Sequence, residues 1–122
     1  MLQRYVVAAA AWLEIIVGAV LIAVPDLLCV LLFATKAEGI TVPVARFAGV
    51  GLLALGISSL PSTDTASHRG VVGLCVFNVG VTILLASVAI ATTFHGVLLW
   101  PVVILHAAIA TALVSQLLTT KA

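Results

Sequence analysis

The 122-residue chain is 64% hydrophobic and 7% charged, with five Lys and Arg against four Asp and Glu, and its mean hydropathy is +1.39. Soluble domains carry roughly 25% charged residues, and so few charges cannot cover a water-exposed globule, so the chain reads as an integral membrane protein with room for about four spans of roughly 20 residues. A net charge of +1 and the lack of any Lys/Arg run exclude a nucleic-acid-binding stripe.

In chain order, the first apolar run covers residues 5–24 and stops at Pro25 and Asp26, because proline cannot donate into a continuing helix. Its length exceeds the ~7–15 residues of a secretory h-region, so it is read as a span. Residues 27–33 are too few to cross. With Asp26 as N-cap, the segment 26–34 reads as an interfacial helix on the membrane surface. A second span follows at 42–60, closed by Pro61, and residues 62–69 form the one clearly hydrophilic loop. The third span is placed at 70–91, a short turn at 92–96, and the fourth span at 97–118. The expected fold is therefore a single all-α domain, a four-transmembrane-helix bundle with a short interfacial helix between helices 1 and 2. Short connections make sequential spans antiparallel.

With four spans both termini share a side. That side carries Arg4, Arg69 and Lys121, against Lys36 and the slightly embedded Arg46 on the other. The positive-inside bias then puts both termini in the cytoplasm. Tyr5 and Trp100 sit where interfacial aromatics belong. Small residues recur at Gly18, at Ala45 and Gly49 four apart, and at Gly56, Gly73, Gly80, Ala107, Ala108 and Ala112. Helices in lipid associate by close packing, so these positions are read as helix contacts. The two cysteines, Cys29 and Cys75, have no CxxC spacing and fall toward opposite sides of the membrane, so no disulfide is expected.

At about 1.5 Å of rise per residue, Glu14, Asn78 and His106 lie near the midplane of spans one, three and four, with Arg46 somewhat nearer the non-cytoplasmic side of span two. An ionisable side chain at that depth costs about 2.5–3.5 kcal/mol on insertion scales, so it faces the bundle interior and pairs. The expected cluster is a Glu14–Arg46 ion pair completed by Asn78 and His106. Two readings compete: a structural cluster that fixes which helix faces point inward, and a binding centre for the head of an amphiphile such as a quinone or lipid. Docking of another membrane subunit is a third.

Catalytic patterns are sparse. There is no nucleophile motif, no paired carboxylates on one helix face and no phosphate loop. Asp26, Cys29 and His95 share one predicted surface but come from three loop positions, thin support for zinc. His68, His95 and His106 offer no opposed pair for haem within one bundle. Cys75 reads as a small packing residue, and Trp12, two residues from Glu14, points to another face. The reading leans away from an enzyme and assigns no cofactor.

Four segments carry a resemblance: GAVLIAVPDLL from Gly18, ARFAGVGLLALGI from Ala45, FNVG around Asn78 and WPVVILHA from Trp100. Together they resemble small bacterial four-helix membrane proteins of the broad DoxX-like type. The likeness spans most of the chain through soft motifs: a proline after the first helix, an arginine early in the second, and a tryptophan, proline and histidine in the fourth. It implies a four-helix bundle with a polar centre in a bacterial inner membrane, in families sometimes linked to quinone or redox partners. The chain also resembles small multidrug resistance transporters in length, helix number and a first-helix glutamate, here Glu14 in AWLEIIVG. It departs from them by lacking their glycine-rich third-helix motif and by adding Arg46.

The sequence therefore points to a lipid-embedded, non-enzymatic component. It would bind a hydrophobic small molecule or a partner membrane subunit through Glu14, Arg46, Asn78 and His106, with a homo-oligomer compatible with so small a bundle. In this scheme Arg46 anchors a polar head, His106 and Asn78 hydrogen-bond it, and Glu14 holds the arginine. The alternatives are a proton-coupled transporter using Glu14 and a purely structural subunit.

Overall fold

Inside a bilayer every backbone N–H and C=O must find its partner within the chain, so apolar runs of this length can only coil. The computed structural model describes residues 2–62 and 67–119, all of whose regular structure is helical. Lys121 and residues 63–66 of the predicted hydrophilic loop lie outside the described residues. The helices are α1 (Leu2–Ala23), α2 (Pro25–Phe33), α3 (Thr41–Ser59), α4 (His68–Ala91) and α5 (Leu99–Thr119). All but α2 are long and apolar enough to cross a membrane, which makes the protein an integral membrane protein.

Hydropathy alone cannot choose the inward face of such helices, because nearly every position is apolar. Spacing does. The buried stripe runs through Val7, Ala11, Glu14 and Gly18 on α1, with Ala10 buried beside it, Gly49, Leu52, Gly56 and Ser59 on α3, and Leu99, Val103, His106, Ala110 and Leu113 on α5. They alternate steps of three and four, the heptad pattern of left-handed bundles that cross near 20°. On α4, Val71, Leu74, Asn78 and Leu85 follow the same repeat.

The helices associate as two antiparallel pairs. In the first, α1 and α3 touch backbone to backbone. A Cβ added to Gly18 would stand 2.7 Å from the Gly49 carbonyl oxygen, one on Gly49 2.7 Å from the Gly18 carbonyl, and one on Gly56 2.6 Å from the Ala11 carbonyl. Ala11 to Gly18 is seven residues up one helix and Gly56 to Gly49 seven down the other, so both contacts fall on one seam. In the second pair, α4 and α5 meet through larger side chains. Val71 and Leu113 join a cluster at the end that holds the chain termini, with Val7, Ala10, Ala11, Leu74 and Cys75. At the opposite end Leu85, Ala89, Leu99 and Val103 form a second cluster, against which Phe33 of α2 packs.

The short helix α2 caps this second end, with Pro25 and Cys29 buried against the bundle and Asp26, Leu27 and Val30 exposed. Its start corrects the expected N-cap. Val24 occupies that position without a side-chain bond, Pro25 takes the first turn, and Asp26 instead accepts the Ala37 amide at 2.9 Å. A proline in the first turn is well placed, since its missing N–H would have no partner there. Carbonyls at the far end of α2 need donors from elsewhere, and the turn before α5 supplies them: Gly96 N–H donates to Leu32 O and Leu98 N–H to Leu31 O, both at 2.9 Å. A Cβ at Gly96 would collide with the Leu31 backbone, so only glycine admits this docking. The two cysteines are free.

Replacing Gly49 or Gly56 with leucine is expected to force α1 and α3 apart at a cost of about 1–3 kcal/mol or more. Gly80→Ala and Gly51→Ala, whose added Cβ would meet nothing within 4 Å, should be neutral or stabilising by up to about 1 kcal/mol. Unfolding midpoints of the purified variants in a mild detergent check this; equal losses at all four sites would refute the seam.

Candidate functional site

The two helix pairs are packed tightly at the terminal end and held apart at the other, which α2 caps. The gap is a cavity of about 220 Å³. Its wall on α1 runs from Glu14 through Val17 to Leu21, and α4 and α5 supply Phe77, Val81, Val102 and His106. Cys29, Leu32 and Phe33 of α2 form its lid. Leu84 and Leu105 line it while remaining exposed, so the cavity communicates with the outer surface of the bundle. Glu14, Phe77 and His106 lie at the floor, because the residues below them on each helix belong to the terminal cluster.

Among the lining residues, all are apolar except Glu14, Cys29 and His106. Glu14 is 1% exposed, and its Oε1 is buried with no hydrogen-bond partner. His106 is 7% exposed. Its Nδ1 lies 2.7 Å from Asn78 Oδ1, and Phe77 stands edge-on to the imidazole with ring centroids 6.1 Å apart. Asn78, fully buried, donates its own Nδ2 to the Leu74 carbonyl one turn back at 2.8 Å. The asparagine therefore sits behind the histidine, outside the cavity wall, and fixes the ring's orientation.

Three of the four residues singled out from the sequence are thus buried at one level, and two of them face the cavity. The fourth is not. Arg46 is exposed on α3, and no salt bridge to Glu14 forms, which corrects the expected ion pair. The cause is azimuth rather than depth. The buried heptad of α3, extended back from Gly49, passes through Ala45 and Val42, both half-buried, and Arg46 is a further 100° round the helix. It stands in the second turn, its Cβ tilts toward the helix N-terminus, and a long cation there reaches the membrane surface with its apolar stem in lipid.

The contributions of Leu32 and Phe33 to the site are invisible in the sequence, because α2 gains its place from backbone bonds to a segment more than 60 residues away. Burial pushes the Cys29 thiol up from its ordinary value, and the Asp26 charge adds to this, so at neutral pH it is a protonated lid residue rather than a nucleophile. His95 is exposed and its ring bonds the Thr92 carbonyl at 2.9 Å. Among the described residues no three His, Cys, Asp or Glu side chains gather to hold a metal.

Comparisons with protein-family models, curated proteins and solved structures return no match for this chain. The site therefore has to be interpreted from its own geometry.

A buried carboxyl group without a partner is a standing cost to the fold, about 1–3 kcal/mol for an unsatisfied acceptor. Glu14→Leu, of similar reach, is therefore expected to raise the thermal unfolding midpoint. If Glu14 were half of a stabilising ion pair the same change would orphan the arginine at a cost of about 3–5 kcal/mol and lower the midpoint, so the sign of the shift separates the two arrangements.

Proposed function

We propose that the protein is a non-enzymatic membrane component that binds a small hydrophobic molecule, lipid-like or quinone-like, in the cavity between its helix pairs. The observation that carries this reading is the floor: a nine-tenths-buried glutamate with no partner facing an otherwise apolar cavity. Proteins keep unsatisfied buried groups where a function repays them, and a pocket of apolar walls with a few convergent polar groups is the usual form of a small-molecule site. The cavity exceeds the roughly 150 Å³ that suffices to hold benzene in a protein core. The exposed flanks of Leu84 and Leu105 give a ligand a route from the surrounding acyl chains. Arg46 takes no part in this site.

The reading includes two finer points. Both termini lie on the cytoplasmic side, supported by Arg4 and Arg69 at that end, so the cavity and its α2 lid occupy the outer half of a bacterial inner membrane. Kinship with the DoxX-like type is supported by four long helices and the proline-started short helix after the first.

Native mass spectrometry of the protein released from gentle detergent, with an organic extract of the same sample, tests the proposal. A stoichiometric bound small molecule is expected. It should be lost from Val17→Phe, which fills the cavity, while the variant stays folded. A ligand-free wild type, or a ligand retained equally by the filled variant, would overturn it.

A further inference from the structure

The hydrogen-bond inventory of the cavity floor fixes the chemistry of the head group it accepts. Asn78 Nδ2 is committed to the Leu74 carbonyl, so the amide oxygen is the atom turned to His106, and an oxygen can only accept. The 2.7 Å contact therefore requires a proton on His106 Nδ1. An imidazolium in apolar surroundings with no counter-ion is strongly disfavoured, and no ion pair or hydrogen bond joins His106 to Glu14. The ring is then neutral, and its Nε2 carries a bare lone pair. Glu14 contributes two more acceptor oxygens, of which Oε1 is buried and unmet. The same surroundings disfavour an unpaired carboxylate, so Glu14 brings one O–H to a floor that presents acceptors on both side chains, and a head that donates to Nε2 satisfies more of that floor than one that only accepts.

Resting on the cavity reading above, we infer that the site prefers apolar molecules whose head carries N–H or O–H donors, such as alcohols, phenols or amines, over heads that only accept, such as ethers, esters and ketones; of the quinone-like class it takes the reduced, hydroxyl-bearing form ahead of the quinone. Scaling from the cavity that holds benzene, the enclosed part is about nine non-hydrogen atoms. A longer tail leaves past Leu84 and Leu105. Phosphatidylcholine has no such donor in its head, so a phosphatidylcholine bilayer leaves the Nε2 acceptor unmet.

The test uses two isomers of nine heavy atoms, 1-octanol and heptyl methyl ether, added at matched mole fractions to the delipidated protein in phosphatidylcholine nanodiscs. Methyl resonances of Val17, Val81 and Val102 report occupancy by either isomer, and ¹⁵N-labelled histidine, assigned with a His106→Gln sample, reports the ring. Before addition His106 should show a protonated Nδ1 and a bare Nε2. The alcohol is expected to occupy the site at about tenfold lower concentration than the ether, the value of one hydrogen bond to a polar buried group. Only the alcohol should move the Nε2 resonance, and the preference should shrink in Glu14→Leu. Equal occupancy by both isomers, or a proton on Nε2 in the free protein, would overturn the donor rule and leave the cavity reading standing. Failure of both isomers to move any valine methyl in the wild type, matching Val17→Phe, would overturn the cavity reading itself.

Discussion

Contact between the α1 and α3 backbones is the constraint on which the rest of this bundle depends. Where Gly18 faces Gly49 and Ala11 faces Gly56, no side chain separates the helices, and in lipid such close packing supplies association that hydrophobicity cannot. The seam uses up the inner face of α3 and locks the azimuth of α1, which turns Glu14 toward α4 and α5. The α4–α5 pair meets through bulkier side chains and carries its own polar contact, Asn78 to His106. Two pairs of different thickness cannot close along their whole length, and the gap they leave is the cavity.

The capping helix completes this arrangement. Pro25 ends α1 and starts α2 in one step, and the Gly96 turn reaches across to bond Leu31 and Leu32, so the lid is tied at both ends. Tied, it buries Cys29 and sets Leu32 and Phe33 over the cavity. The floor, by contrast, is held rigidly: Leu74 holds Asn78, Asn78 holds His106, and only Glu14 is left without a protein partner. In a polar network that serves the fold alone every member is expected to be paired, and it is this uneven satisfaction on which the proposed binding role rests.

Much of this was legible in the sequence, for physical reasons. Long apolar runs have one option in a bilayer, so the all-helical architecture and the short helix after Pro25 follow from run lengths. Glu14, Asn78 and His106 were legible because burying them in apolar surroundings is expensive, and each does turn inward. Arg46 misled because counting rise along a helix gives depth but not azimuth, and an arginine within two turns of a helix start can reach water without a partner. Gly80 misled less: small size permits close approach but does not require it, and it faces open space. The lid was not legible, since its bonds to residues 96–98 are backbone bonds that leave no mark on side-chain pattern beyond Gly96 itself.

The most direct test of this account is an experimental density map of the protein crystallised from a lipidic phase without added ligand. Continuous non-protein density is expected in the cavity, ending within hydrogen-bond distance of Glu14 and His106 Nε2, with Arg46 directed to the membrane surface. A cavity filled by repacked side chains, or Arg46 turned inward onto the Glu14 carboxylate, would contradict it.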